Sequence, residues 1–334
     1  MEERNIVLDL IRGTEAAALA AAIERGRGNK KVADENAFAN MSRVFRRLNI
    51  EIRIVGSEGE KDKVSSFNYG DIYGDPEYKM KLDCVVDVID GTRMTAEWED
   101  AGAISVIGVG LRNNLMRVPT DKVYLKKIAV GPAAAKAIDL NQDFKENIYR
   151  IALALKKEPE ELCAMMLKRK RHEKFIKIMR EMDIKIKLIQ DGDVVAALAP
   201  CFPETDIDFY FGCGGPPEGI IAACGIKSLK GAMQVQWDPH AYKTSKESEI
   251  EAELKEKKKL SEDLGINTDK IYTLEDIAKG PVQFVATGIT NGPFLQGVDF
   301  LPDGAWTYSI GIRSKTGTIR YLKTRHFFEK KPIY

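Results

Sequence analysis

The sequence predicts a layered α/β fold, and three observations lead to it. Apolar residues recur three and four apart over "NIVLDLIRGTEAAALAAAIERG" (5–26), the spacing of an amphipathic helix. β-branched runs such as "EIRIVG" (51–56) read as short strands. From about residue 160 to 230, strand-like and helix-like segments alternate in the manner of βαβ units with a partly parallel sheet. With 334 residues, 44% of them hydrophobic and 30% charged, the chain can bury one large core or two smaller ones.

Taken in order, the first helix is stopped by Gly26 and Gly28. A second starts near Lys31 and carries Phe38, Met41, Val44, Phe45 and Leu48 toward the core, with Asp34 in its first turn, where a carboxylate suits the helix dipole. The strand at 51–56 runs into an acidic loop, "SEGEKD" (57–62). A nearly pure apolar strand at 82–87 follows, then "GAISVIGVGL" (102–111) and "KVYLKKIAVG" (122–131) as strands, so the N-terminal part reads as two helices against a sheet. Helical spacing returns over 138–161; "KIKLI" then precedes "VVAALA", and "DIDFYFG" precedes "IIAACGI". The charged segment 245–266 reads as a solvated surface helix, and "VQFVATGIT" (282–290), "WTYSIGIRS" (306–314) and "TIRYLKTRHFFE" (318–329) as returning strands. Two layouts imply two closely joined subdomains: an α+β part over 1–140, and an α/β part over 141–334 that includes the C-terminal strands.

Composition excludes several functions. The longest apolar runs fall well short of the roughly 20 residues a membrane span needs, and the acidic N-terminus is not a secretory signal. Five cysteines without CxxC spacing argue against a disulfide framework and a structural zinc site, and fit a reducing cytoplasm. With 51 basic against 50 acidic side chains there is no bulk field to attract nucleic acid or anionic lipid.

Acids concentrate where strands end: Glu58 and Glu60, Asp87 and Asp90, Asp191 and Asp193. In open α/β sheets the crevice beyond the carboxyl ends of the strands is where ligands sit, and carboxylates sharing it repel unless cations neutralise them. Oxygen donors of this kind suit Mg²⁺ or Mn²⁺. The plainer reading is that each acid caps a helix or pairs with a Lys or Arg. That reading is weakest for "DVIDGT" (87–92), where two acids follow an apolar strand, Gly91 permits a tight turn, and the next N–H groups with the Thr92 hydroxyl form a phosphate cradle. Asp83, within the same strand, poses the question of what a buried acid holds.

"KRKRH" (168–172) after "LCAMML" is open to three readings: a solvated face if helical, a phosphate clamp if it is the loop after a strand, and a nucleic-acid patch. The patch is short and has no flanking aromatic platform, which disfavours the last. "GCGGPPEGIIAA" (212–223) sets a glycine-rich turn and Glu218 at a helix start without the GxGxxG spacing of a dinucleotide site. His172, His240 and His326 form no metal-spaced set, and no Ser or Cys sits in a nucleophile elbow, so each His reads as a surface or structural residue.

The order of these blocks, from "RGTEAAALAAA" and "GRGNKKVAD" through "SEGEKD", "DVIDGTRMTA", "VYLKKIAVGP", "KRKRH", "QDGDVVAAL" and "GCGGPPEGII" to "ATGIT", resembles class II fructose-1,6-bisphosphatases, within the lithium-sensitive sugar and inositol phosphatase superfamily. The resemblance covers almost the whole length. It implies an α/β/α sandwich, a cytoplasmic enzyme of gluconeogenesis that hydrolyses fructose 1,6-bisphosphate with Mg²⁺ or Mn²⁺, and a homo-oligomer, dimer or tetramer. It also leaves open a related polyol phosphate such as sedoheptulose 1,7-bisphosphate, or a weakly active phosphosugar-binding homologue. Carried onto this chain, it implies metal-site roles for Asp34, Glu58, Asp87, Asp90 and Glu218 and for the Ile89 carbonyl, most of them in the first subdomain. Thr92 falls on the threonine that orients the attacking water, and Lys30 on a nearby loop lysine; with Asp87 and Glu58 they make the implied catalytic set. The resemblance also implies that Asp90, Gly91 and Thr92 touch substrate. Tyr124, Arg169 and Arg171 match the grip on the distal phosphate, Asp191 and Asp193 the residues that hydrogen-bond sugar hydroxyls, and Gly214, Gly215 and Glu218 the neighbouring loop. The chain departs from the family pattern at Ser57, Val88, Asp90, Arg169 and Lys170, where the resembled enzymes carry Gly, Pro, Glu, Lys and Pro.

Overall fold

The expected helices form first in the chain. In the computed structural model, which describes residues 5–57, 66–118, 124–237 and 267–330 and, between them, residues 251, 255, 258, 261 and 262, they are α1 (Val7–Ile23) and α2 (Lys30–Phe45). Small residues explain their pairing: Ala17, Ala18 and Ala21 of α1 and Ala33 and Ala37 of α2 are buried in one core, and short side chains let two helix backbones approach. Asn29 caps α2, its side chain accepting from the Val32 N–H at 3.2 Å. The helix therefore begins at Lys30, which moves Asp34 past the first turn where it was expected and weakens its coupling to the helix dipole.

Strands β1 (Glu51–Ser57), β2 (Ile72–Gly74), β3 (Lys81–Asp90) and β4 (Ile104–Leu111) follow, with the short helix α3 (Thr92–Glu97) after β3. The chain then builds a second unit from β5 (Leu125–Val130), α4 (Phe144–Leu155), β6 (Cys163–Leu167), α5 (Glu173–Glu181), β7 (Lys185–Ile189), α6 (Asp193–Leu198), β8 (Phe209–Gly214), α7 (Pro216–Ser228), β9 (Ala232–Trp237) and β10 (Ile271–Thr273). It returns to the first as β11 (Val282–Gly288), β12 (Asp299–Leu301), β13 (Gly304–Arg313) and β14 (Thr318–Phe327).

The first unit comprises Met1–Pro119 and Ala278–Tyr334, the second Thr120–Ile277. This corrects the expected division at 140/141. The C-terminal strands belong with the first half, because β11 pairs antiparallel with β4 over its whole length, Val282 opposite Gly110 through Gly288 opposite Ile104. The first sheet runs β12-β13-β11-β4-β3-β1-β2, with β14 also on β13; only β1 and β3 are parallel. Its core sets α1 and α2 against Ile52, Ile54, Leu82, Val86, Ile107 and Val285, each burial contributing about 1.5–3 kcal/mol.

The second sheet runs β10-β9-β5-β8-β6-β7, parallel where β6 meets β7 and β8 and antiparallel elsewhere. Side-chain alternation makes it a three-layer α/β/α sandwich. Ile128, Val130, Phe209 and Phe211 face α4 and α5 in one core. Alternate residues Lys127 and Tyr210 face α6 and α7, where Asp193 and Gly219 meet them. The predicted charged helix at 245–266 lies mostly outside the described residues; its described members at 251, 255, 258, 261 and 262 are helical and exposed. No helix among the described residues is long and apolar enough to cross a membrane.

Candidate active site

The three acids of β3 have different surroundings. Asp83 is fully buried: Arg53 reaches its Oδ1 with Nε at 2.9 Å and a terminal nitrogen at 2.7 Å, Arg112 Nε stands 3.5 Å away, and the Asn113 N–H donates to Oδ2 at 2.6 Å. This acid follows the plainer reading; it ties β3 to β1 and to the turn after β4.

Asp87 and Asp90 close the strand differently. Pairing with β4 slips between them, Asp87 lying opposite Val106 but Asp90 opposite Ile104, so the backbone bulges at Val88–Ile89. Asp87 Oδ1 accepts from the Ile89 N–H at 3.0 Å and stabilises the bulge. Val88, where the resembled enzymes have proline, packs its side chain on the first core. Gly91 then takes φ +104°, and a Cβ there would fall 2.4 Å from Met94 Cε and 3.1 Å from Ala103 Cβ, so only glycine turns the chain into α3. The turn brings Thr92 Oγ1 within 3.2 Å of Asp34 Oδ1 and 3.1 Å of the Ile89 carbonyl oxygen. Asp34 thus meets Ile89 at the end of β3 and Thr92 just after it, from a stretch of sequence 58 residues before Thr92. Asp87 and Asp90 are buried beside them on the same strand end, and Lys30 lies exposed at the start of α2.

These donors are carboxylate, carbonyl and hydroxyl oxygens, the set a hard divalent cation takes. Among the described residues no group of three or more His, Cys, Asp or Glu side chains is gathered closely enough to hold an ion. Glu58 lies outside the described residues. The chemistry of the set fits a hard divalent cation.

In the second unit "LCAMML" resolves as strand β6, so "KRKRH" is the turn at its carboxyl end, as the clamp reading requires. Arg171 Nε donates to the Cys213 carbonyl at 2.8 Å, and its guanidinium lies over the Tyr124 ring, 4.6 Å from the centroid. The side chain is fixed at one end and one face, leaving the terminal nitrogens aimed. Arg169 pairs with Asp191 at 3.7 Å, and a cleft of about 700 Å³ beside the turn is lined by basic residues including Lys168, Arg169 and Lys170, by Glu173 and Glu181, and by Ile176 and Leu188. His172 supports the turn from inside. Its Nδ1 is 2.7 Å from the Leu167 carbonyl and its Nε2 accepts the Cys213 N–H at 2.8 Å, which requires the neutral imidazole with the proton on Nδ1. Burial holds its pKa below 6.5.

Asp193 is buried and takes internal partners: Oδ2 is ion-paired to Lys127 Nζ and Oδ1 accepts from the Tyr210 hydroxyl. Lys127 Nζ also reaches the Gly215 carbonyl at 3.2 Å and Glu218 Oε2 at 3.5 Å, while Glu218 Oε2 accepts the Gly215 N–H at 2.9 Å. Burial alone would lower the lysine's pKa, but Asp193 and Glu218 overcome it and hold the ammonium above its ordinary value. Burial would raise Asp193, yet Lys127 and then Tyr210 bring it below the ordinary carboxylate range. Burial and the Asp193 charge push the Tyr210 phenol well above its own. Sequence reasoning missed Lys127 and Tyr210. The available signal was a lysine at a core-facing position of the strand "YLKKIAV".

The match with known proteins is as broad as the order of the motifs. The chain is 34% identical over 334 residues to a protein of Haemophilus influenzae named fructose-1,6-bisphosphatase class 2, covering 98% of this chain and 97% of that one. Two further relatives carry a double name: D-fructose 1,6-bisphosphatase class 2/sedoheptulose 1,7-bisphosphatase 2 of Acaryochloris marina, 36% identical with 98% and 97% covered, and D-fructose 1,6-bisphosphatase class 2/sedoheptulose 1,7-bisphosphatase of Trichodesmium erythraeum, 34% identical with 97% and 96% covered. A family model described as bacterial fructose-1,6-bisphosphatase, glpX-encoded, matches residues 4–326, from before α1 to within β14, so both stretches that build the first unit and the whole of the second fall inside one family pattern. The chain belongs to the glpX-encoded bacterial fructose-1,6-bisphosphatases.

Proposed function

We infer that this chain hydrolyses fructose 1,6-bisphosphate to fructose 6-phosphate and phosphate. The observation that carries the chemistry is the meeting of Thr92 with Asp34 and the Ile89 carbonyl, in a chain whose family match runs nearly end to end. The family is one of metal-dependent phosphatases. Here Mg²⁺ or Mn²⁺ is proposed, with Asp34, Glu58, Asp87, Asp90 and the Ile89 carbonyl as donors in the first unit and Glu218 as a donor in the second. When bound, such ions neutralise phosphoryl oxygens and make water more acidic.

The protein's own part is positioning. Thr92 has one hydroxyl proton and two acceptors on the protein side, Asp34 and Ile89 O, so that proton is committed inward. Its lone pairs then accept a hydrogen bond from a water and turn the water's own lone pair toward phosphorus, opposite the sugar oxygen that leaves. Lys30 and the N–H groups following Gly91 add donors for the reacting phosphate. Arg171, anchored on Cys213 and Tyr124, grips the distal phosphate with its terminal nitrogens, and Arg169 and Asp191 line the same side. Binding energy at the distal end thereby aligns the reacting end. A homo-oligomer working in the cytoplasm is proposed with this activity.

A second substrate, sedoheptulose 1,7-bisphosphate, is favoured by the double names of the two relatives. Phosphate release from both sugars, in competition and with each metal, tests the proposal. Release from neither with Mg²⁺ or Mn²⁺ refutes it, as does full activity in Asp87→Asn.

A further inference from the structure

We propose that Lys127 is a positioning residue for the hydrolysis, holding Glu218 and the Gly214–Gly215 turn in one fixed arrangement; this rests on the proposed assignment of Glu218 to the metal.

The lysine is placed where an apolar residue would serve packing better. Its side chain is 1% exposed in the middle of an apolar strand, and burying an ammonium is costly unless every proton finds an acceptor. Here the count closes. Three N–H protons face Asp193 Oδ2, the Gly215 carbonyl and Glu218 Oε2. Two of those acceptors belong to the turn and to the acid assigned to the reaction. The third, Asp193, is held from its other oxygen by Tyr210.

Exposure grades outward along this chain of groups. Tyr210 is fully buried, Lys127 and Asp193 are at 1% and 2%, and Glu218 reaches 15%. Glu218 is the outer end of a buried post, and its Oε2 is fixed by both the ammonium and the Gly215 N–H.

The glycines of "GCGGPPEG" fit the same account. A Cβ on Gly214 would come 2.9 Å from Lys127 Nζ and 2.7 Å from Asp193 Oδ2, and one on Gly219 would come 3.3 Å from Lys127 Cδ. The glycine-rich turn clears the path of the lysine, which explains these residues without a nucleotide. Partners that orient a metal acid from behind change metal affinity or activity by about 10–100-fold when removed.

The alternative is that Lys127 merely neutralises Asp193. A charge-balanced variant, Lys127→Met with Asp193→Asn, separates the two, because it removes the ammonium without stranding a buried carboxylate. Mn²⁺ binding to the apoprotein is measured by the electron paramagnetic resonance signal of free Mn²⁺, thermal melting by circular dichroism, and kcat by phosphate release. If Lys127 acts through Glu218, the pair variant melts cooperatively, binds Mn²⁺ at least about 10-fold more weakly and loses kcat in proportion. Glu218→Gln weakens Mn²⁺ binding by a similar factor in the wild type, but by less than about twofold in the pair variant, since the two changes act through one group. A pair variant that binds Mn²⁺ as the wild type does, while Glu218→Gln does not, overturns the proposal and leaves the assignment of Glu218 standing. A pair variant that fails to melt cooperatively also overturns it, showing the lysine to be structural. Unchanged Mn²⁺ affinity in Glu218→Gln by itself removes the assignment on which the proposal rests.

Discussion

Asp83→Asn separates the structural acid of β3 from the chemical ones. Its side chain is fully buried, while Arg53 and Arg112 keep 21% and 22% of theirs in solvent. Breaking a fully buried ion pair costs about 3–5 kcal/mol. Here the two guanidinium groups recover part of their hydration, but the new amide keeps one acceptor oxygen and turns its NH2 toward either the arginines or the Asn113 N–H, which are donors themselves. The net expectation is about 2–4 kcal/mol of lost stability. With a urea slope of about 2 kcal/mol per molar, the unfolding midpoint of the first unit drops by about 1–2 M. Tryptophan fluorescence follows it, since Trp98 and Trp306 lie in that unit. In the absence of urea, kcat stays within about twofold of wild type. Asp87→Asn behaves in the opposite way, with kcat falling by more than about 100-fold and a midpoint shift below about 0.5 M. The reasoning is refuted if Asp83→Asn abolishes turnover while its midpoint is unmoved.

Gly91→Ala forces a side chain into a backbone at φ +104° and into Met94, so it destabilises by roughly 2–4 kcal/mol and lowers kcat; thermal melting and phosphate release check both effects. Arg171→Lys loses the Nε bond to Cys213 and the planar stack on Tyr124. KM for fructose 1,6-bisphosphate should rise about 10-fold or more, with little change for fructose 1-phosphate, which lacks the distal group. His172 has its pKa lowered by burial from 6.5, so as pH falls the unfolded chain takes up the proton before the folded one does. Its contribution is complete above about pH 6.5 and is lost as the pH drops below that value; urea midpoints should decline there, and His172→Gln should flatten the decline.

Local pattern located α1, α2, α4 and the long strands of the first sheet because hydrophobic period is a property of neighbouring residues, while β2, α3, α5, β9, β10 and β12 received no reading. Thr92, Asp34 and Ile89 were identified from motif order, and their meeting required only that β3 end beside α2. What sequence reading misplaced depends on distant pairings. The domain boundary was set by β11 joining β4, and no periodicity within 282–290 distinguishes that partner from β9. Asp83 could not be separated from Asp87 because its arginines come from β1 and from the end of β4. The ion pair of Asp193 was not legible because its partner, Lys127, lies on another strand and on the face that alternation reserves for apolar residues. "LCAMML" was ambiguous for the opposite reason: a six-residue apolar run is too short to show any period.

The return of β11–β14 to the first sheet has a consequence for synthesis. Residues 1–119 leave the ribosome with one edge of β4 still open, and they wait while Thr120–Ile277 is translated, on the order of ten seconds at about 5–20 residues per second. The inserted unit can finish before the unit that encloses it in sequence. During that interval the nascent chain carries an unpaired hydrophobic strand, making it a natural client for chaperones.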